Sequence, residues 1–446
     1  MSGQLTGVLA AYRLLSAAAA PLAPLLLARR LKRGKENGAR LDERRGNGRA
    51  LRPQGALVWL HGASVGELAS ALPLIERIAQ RNVNVLVTSG TVTSSELAEQ
   101  RLPQGVIHQF IPLDAPRFMR RFLERWQPDL ALFVESDLWP NMMIETSRRN
   151  VPMILINGRL SDASFQRWRY LPKTISNLLR RFDLCLAGTP ADAMRLSELG
   201  APRVLTSGNL KLDVPPPPAN AAKLSELSAA IGERPMIAAT STHAGEDALI
   251  IEAHRRLLPN FPGLLTVIAP RHPERGAEIA EIARGAGLTT ALRSRGELPA
   301  ANTSIYVADT MGELGLIYRL SPVVFVGGSL VPHGGQNPIE PAKLGAAILH
   351  GPHVWNFADI YQSLDLARGA EPVLDADRLT AAFAAMLGDL QARARSVAAA
   401  RQTVEALGGA LERTLQSLDP YFMQLLLPRR TVQGIDPGDR QGVLNA

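Results

Sequence analysis

Short continuous apolar runs alternate with helical patterns along most of this chain. In the first half the runs lie at residues 56–60, 83–89, 106–111, 130–134, 153–156, 184–187 and 203–206. Helical stretches such as 68–81 and 190–199 separate them. Runs that are apolar throughout, with helices between, predict strands of a parallel sheet covered on both faces. Four prolines at 215–218 can form neither helix nor central strand and read as a stiff linker. A second series follows at 236–239, 264–269, 304–308, 323–326 and 347–349. A last helical pattern, 378–418, breaks at Gly408-Gly409. The expected fold class is α/β, with two similar halves joined by a hinge. Ligands are expected at the carboxyl ends of strands facing a cleft between the halves.

Before the first strand, residues 8–28 make an apolar helix about long enough to cross a bilayer. Arg13, Pro21 and Pro24 interrupt it. Arg29, Arg30, Lys32, Arg33 and Lys35 follow, then Arg40, Arg44, Arg45, Arg49 and Arg52, diluted by Glu36, Asp42 and Glu43. A secretory signal carries its charge before the apolar region, and here most of it comes after. This reads as an inserted or interfacial anchor on an anionic membrane, with the bulk of the chain in the cytoplasm. A helix packed on the protein itself is the alternative. The expected organisation is an anchor with its basic flank at 1–34, domains at 35–214 and 215–427, and a disordered polar tail at 428–446.

A length of 446 residues suits about two domains, and 46% hydrophobic residues support sizeable cores. The net charge of +8 calls for anionic partners. Nucleic acid is disfavoured, because aromatics are only 5% and no aromatic-rich basic motif is present. The single cysteine, Cys185, sits in an apolar run and reads as a core residue; one cysteine excludes an intrachain disulfide.

The loops after the runs carry the candidate chemistry. Trp59-Leu60-His61-Gly62-Ala63-Ser64-Val65-Gly66-Glu67 delivers a carboxylate on a strand-to-helix turn. Glu67 equally fits a plain helix-stabilising role through the macrodipole. Pro270-Arg271-His272 presents a guanidinium suited to phosphate or carboxylate. In Asp309-Thr310-Met311-Gly312-Glu313, Thr310 can cap a helix and Glu313 fits a capping box, while the first-turn amides suit an anion. Gly327-Gly328-Ser329 and Gly334-Gly335-Gln336-Asn337-Pro338-Ile339-Glu340 combine glycines, a capping Asn337 and a Glu340 able to accept from ribose hydroxyls. Glu135 follows the run 130–134, and Lys211 precedes the prolines. These two fit either a charged reacting sugar or a salt bridge. Neither a Walker A loop nor a full dinucleotide fingerprint is present.

Taken together, these loops resemble the 3-deoxy-D-manno-octulosonic acid (Kdo) transferases of lipopolysaccharide synthesis. The motifs are His61 with Ser64 to Glu67, Leu138-Trp139-Pro140-Asn141, Leu210-Lys211, Thr240-Ser241-Thr242-His243 and Pro270 to Arg275. Asp309 to Leu314, Gly327 to Val331, Gln336 to Glu340, and Gly351-Pro352-His353 with Asn356-Phe357 complete them. The resemblance implies a GT-B fold of two Rossmann-like domains. It implies inverting transfer of Kdo from CMP-Kdo to the lipid A precursor lipid IVA, at the cytoplasmic face of an inner membrane. It makes Glu67 the general base, with Glu135 and Lys211 stabilising the transition state. It assigns CMP to Pro270, Arg271, Met311, Gly312, Glu313, Asn337, Pro338, Ile339 and Glu340. No cofactor is expected beyond the donor substrate, and no metal: the single phosphate of the leaving CMP can be met by Arg271, Lys211 and helix N-termini. The chain departs from the family pattern at Glu135-Ser136-Asp137, Ala244 and Gly62-Ala63.

Overall fold

The computed structural model describes residues 4–135 and 138–427. The expected disordered tail and the Ser136-Asp137 departure lie outside the described residues. Among the described residues the strands form two seven-stranded sheets. The first comprises β1 (Leu57–His61), β2 (Asn84–Ser89), β3 (Ile107–Phe110), β4 (Leu130–Val134), β5 (Met153–Gly158), β6 (Leu184–Ala187) and β7 (Val204–Thr206). Its order is β3-β2-β1-β4-β5-β6-β7. The second comprises β8 (Met236–Thr242), β9 (Leu265–Pro270), β10 (Thr290–Leu292), β11 (Ile305–Val307), β12 (Val323–Val326), β13 (Ala347–His350) and β14 (Ala370–Pro372). Its order is β10-β11-β9-β8-β12-β13-β14. Every pairing is parallel.

Successive residues of a strand point to opposite faces, so each sheet buries two cores. In β1, Leu57 and Trp59 join the core with Phe122 and Trp126, while Val58 and Leu60 join the one with Leu74 and Ile78. The lone Cys185 is buried on β6, and burial pushes its thiol up to about 12. The strands β10 and β14 were not legible as apolar runs. Each is a three-residue edge strand, and β14 reads Ala370-Glu371-Pro372.

The chain divides into two units. One holds residues up to Leu210 together with those from Ala410 onward; the other is Lys211–Gly409. The final helix, Ala410–Leu426, therefore belongs with the first sheet rather than with the second half. Its Ala410, Leu415, Leu418 and Phe422 pack with Val58, Leu60 and the helix Val65–Ala79. The 378–418 pattern breaks twice, because Asp389 starts a new helix by accepting from the Ala392 N–H at 2.8 Å. The proline run lies inside the second unit. A Cβ on Gly315 would fall 2.3 Å from the Pro218 carbonyl oxygen, and Arg319 donates to the Pro217 carbonyl at 2.8 Å.

The N-terminal helices Gly7–Ala19 and Ala23–Lys32, joined by a short 3-10 turn, are long and apolar enough together to cross a membrane. They also pack on the first unit through one face. Leu9 enters its core, and Ala23 meets Ala115 and Phe118. Arg13, which interrupts the apolar pattern, is used inwardly: it pairs with buried Glu145 at 2.7 Å. Leu14, Leu15 and Leu25 stay exposed at 72%, 71% and 72%. One face of this segment thus packs on the protein, as the alternative reading expected, and the other is exposed. Part of the basic flank is consumed internally. Glu36 pairs with Arg30 at 2.6 Å and Arg44 at 2.8 Å, Arg40 pairs with Glu43, and Arg52 donates to the Trp126 carbonyl. Arg29, Lys32, Arg33, Lys35 and Arg49 remain exposed.

Candidate active site

In the first sheet the strand order reverses direction between β1 and β4, and α/β proteins place ligands at such a switch point. Glu67 follows β1, and Glu135 follows β4. Ser64 caps the helix Val65–Ala79: its Oγ accepts from the Glu67 N–H at 3.2 Å and donates to Glu67 Oε1 at 2.8 Å. The Ala63 N–H donates to Glu67 Oε2 at 2.7 Å. This is a reciprocal cap, so the helix-stabilising role is real. The same contacts fix a half-buried carboxylate in one orientation at the switch point.

Glu135 adopts φ 60°, a left-handed conformation that costs a non-glycine residue of order 1–3 kcal/mol. Its N–H donates to the Ile156 carbonyl at 2.9 Å, which holds the turn. His61, buried at the end of β1, has its Nδ1 2.9 Å from Thr88 Oγ1, and burial pushes it down to about 4. Asn141 of the Trp-Pro-Asn motif is buried. Its Nδ2 donates to the Asp114 carbonyl at 2.7 Å and to Ser16 of the N-terminal helix at 2.9 Å. Asp114 in turn accepts from the Asn141 and Met142 N–H groups at 3.0 and 2.8 Å. That motif residue works as a structural node.

The second unit begins at Lys211, whose Nζ lies 5.9 Å from the centroid of the Phe357 ring. Its sheet reverses between β8 and β12. Glu246 opens the helix after β8 and is fully buried. It accepts from four backbone N–H groups: His243 at 2.9 Å, Gly328 at 2.7 Å, and Ser329 and Leu330 at 3.0 Å. Gly327 is required there, since a Cβ would fall 2.7 Å from Thr242 Cα. Glu246 thereby stitches the loops after β8 and β12 together.

Beside this stitch sit three imidazoles. His243 stacks on His333 at 4.2 Å, meets His272 edge-on at 5.9 Å, and has its Nε2 3.2 Å from Gln336 Nε2. Burial foremost, with His333, His272, Arg271 and Arg275 close by, pushes His243 down to about 4. The Arg271 N–H donates to the Thr242 carbonyl at 3.0 Å, while its side chain is exposed. Pro270 ends β9.

After β11, Asp309 accepts from the Ser294 N–H at 2.8 Å and its hydroxyl at 2.6 Å. Glu313, not Thr310, occupies the helix cap position, without a side-chain cap bond. Its carboxylate takes Arg293 at 2.9 Å, Lys223 at 2.7 Å and the Thr310 hydroxyl at 2.6 Å, and Arg293 foremost holds it down at about 2. Glu313 thus anchors the loop and leaves Met311 74% exposed beside Gly312 at φ 80°. Asn337 Oδ1 accepts from the Ile339 N–H at 3.0 Å, and its Nδ2 donates to Glu340 at 3.1 Å. Pro338 takes the cap position of Ile339–Leu344. Burial raises the Glu340 carboxyl above its ordinary range.

The structure places Arg271, Met311, Gly312, Glu313, Asn337 and Pro338 on loops following strands β9, β11 and β12, whereas Pro270 is the last residue of β9, and Ile339, buried in the core, and Glu340 open the next helix. Glu246 and His333 were not singled out by sequence reasoning; His243 and His272 were, as motif residues, but not as parts of one cluster. Their signal was the motif Thr240 to His243 with a carboxylate at the start of the next helix.

Two units, each built on a seven-stranded parallel sheet, make a GT-B fold. A glycosyltransferase from Rickettsia africae shares it: TM-score 0.57, 11% identity, covering 84% of this chain and 100% of that one. The family described as 3-Deoxy-D-manno-octulosonic-acid transferase (kdotransferase) matches residues 39–214. The 3-deoxy-D-manno-octulosonic acid transferase of Haemophilus influenzae is 36% identical over 84% of this chain and 89% of its own length. That of Bordetella pertussis is 35% identical over 85% and 90%. The chain belongs to the 3-deoxy-D-manno-octulosonic acid transferase family.

Proposed function

We propose that this protein transfers Kdo from CMP-Kdo to the lipid A precursor lipid IVA, with inversion at the anomeric carbon. The acceptor hydroxyl attacks the anomeric carbon while the bond to the CMP phosphate oxygen breaks. Glu67 takes the hydroxyl proton, as a positioned carboxylate can. Glu135 and Lys211 stabilise charge that develops at the reacting sugar. Arg271 meets the phosphate, and the Met311-Gly312 and Asn337–Glu340 segments hold the nucleoside. Because Glu313 is already engaged by Arg293 and Lys223, its part is to set the Met311-Gly312 backbone. With these cations in place the leaving phosphate needs no metal. The exposed leucines of Gly7–Lys32 and the exposed lysines and arginines after them hold the protein on the cytoplasmic face of the inner membrane, where an anionic lipid acceptor lies.

The observation that carries this reading is the pair of carboxylates on the loops after adjacent strands β1 and β4, in a chain of this family. The test is incubation with a tetra-acylated lipid A precursor and CMP-Kdo generated in situ, followed by mass spectrometry of the lipid. A gain of one or more Kdo masses is expected from the native protein, and about 1,000-fold slower gain from Glu67→Gln, which still binds CMP. No gain from the native protein with CMP binding intact would overturn the acceptor assignment.

A further inference from the structure

The carboxylate of Glu67 is held by a chain of contacts that starts in the basic flank. Arg44 is buried in the first unit. Its Nε donates to Glu36 at 2.8 Å, its Nη1 to the Ile111 carbonyl at 3.1 Å, and its Nη2 to the Gly90 carbonyl at 2.6 Å. Its guanidinium also lies 4.5 Å from the centroid of the Phe110 ring. Gly90 follows β2, and its N–H donates to the Ala63 carbonyl at 2.9 Å. The Ala63 N–H then donates to Glu67 Oε2 at 2.7 Å. Gly90 and Ala63 each use one backbone group towards Arg44 and the other towards Glu67.

We infer that Arg44 is a positioning residue for Glu67, acting through the backbones of Gly90 and Ala63. The inference rests on the reading of Glu67 as the base. A base must lie within hydrogen-bond reach of the proton it takes. A misplacement of about 1 Å can cost about 100-fold in rate. The relay is stiff at its far end: Arg30 also binds Glu36, at 2.6 Å, and the Leu113 N–H donates to the Arg44 carbonyl at 2.9 Å. It is tight in the middle, where a Cβ on Gly90 would fall 2.7 Å from the Ala63 oxygen. Lysine cannot replace Arg44 here, because one ammonium lacks the planar fork that reaches three acceptors at once. A purely structural Arg44, present only to neutralise Glu36, is the competing account.

The experiment is a double-mutant cycle of Arg44→Lys and of Gly90→Ala with Glu67→Gln. Gly90→Ala keeps the buried ion pair and strikes the relay alone. Each single variant is expected to lower kcat about 10- to 100-fold, with CMP affinity and acceptor KM unchanged. Neither is expected to lower the residual turnover of Glu67→Gln further. Equal losses in both backgrounds, or an unchanged kcat, overturn the inference. Normal turnover by Glu67→Gln alone overturns the base reading and the catalytic part of the inference with it. Amide hydrogen exchange at Ala63 reads the relay without any turnover. Faster exchange in both variants supports it, and native protection in both overturns it.

Discussion

Both sheets open the helix after their first strand with a carboxylate, and they use it in opposite ways. Glu67 follows β1, is half-buried, and accepts from one N–H and one hydroxyl of its own turn. Glu246 follows β8, is fully buried, and spends both oxygens on four backbone N–H groups from two loops. Around Glu67 the neighbouring loop adds a second carboxylate, Glu135. Around Glu246 the neighbours are Arg271 and three imidazoles. The same position in the same architecture thus leaves a carboxylate at the loop end in one unit and turns one inward, beside a guanidinium and three imidazoles, in the other. In the proposed reaction the base is drawn from the first, and the anionic nucleotide meets Arg271 beside the second.

The contrast can be broken by removing each carboxylate. Glu246→Ala leaves four buried N–H groups unpaired and should destabilise the second unit by about 5 kcal/mol, read from its urea midpoint, with CMP binding lost. A variant as stable as the native protein would show that the stitch carries no weight. Glu67→Gln should instead lower transfer by about 1,000-fold with little change in stability. Arg13→Met strips buried Glu145 of its closest cation, while Arg148 and Arg149 remain within 3.5 Å. It should cost the first unit about 2 kcal/mol and leave CMP affinity untouched, as calorimetry would show. Arg271→Ala should weaken CMP binding about 10-fold without affecting the first unit.

One effect is shared by the units. His61 and His108 in the first are pushed down to about 4 and about 3; His243 and His254 in the second are both pushed down to about 4, burial leading in every case. Unfolded, each titrates near 6.5. Between pH 6.5 and 4 the unfolded chain therefore binds more protons, so stability is full above the upper value and is lost as pH falls through this window. Urea midpoints measured across it should fall, and His254→Gln should flatten the slope for the second unit alone.

Much of this was legible because it is local. Runs such as 130–134, 184–187 and 323–326 became strands at the same bounds, since a strand buried on both faces has to be apolar throughout. The edge strands Thr290–Leu292 and Ala370–Pro372 lack that requirement and left no run. The loop residues Glu67, Glu135 and Arg271 were visible because chemistry is placed at strand ends. Glu246 was not, since a carboxylate after a glycine reads as an ordinary helix start until four amides converge on it. Arg40, Arg44 and Arg52 read as surface charge because a sequence does not show their partners. Glu43, Glu36 and the Trp126 carbonyl are those partners, and the last is far along the chain.

The helix Ala410–Leu426 has a consequence for how the protein is made. It covers one face of the first sheet, yet it is synthesised after the whole of Lys211–Gly409. The second unit is one uninterrupted stretch and can close as soon as it leaves the ribosome. The first must wait with Val58, Leu60 and their neighbours partly uncovered until translation is nearly finished. A nascent chain arrested before residue 410 should therefore hold chaperones that the completed chain sheds, which makes the last helix the latch on biogenesis for the half of the molecule that was translated first.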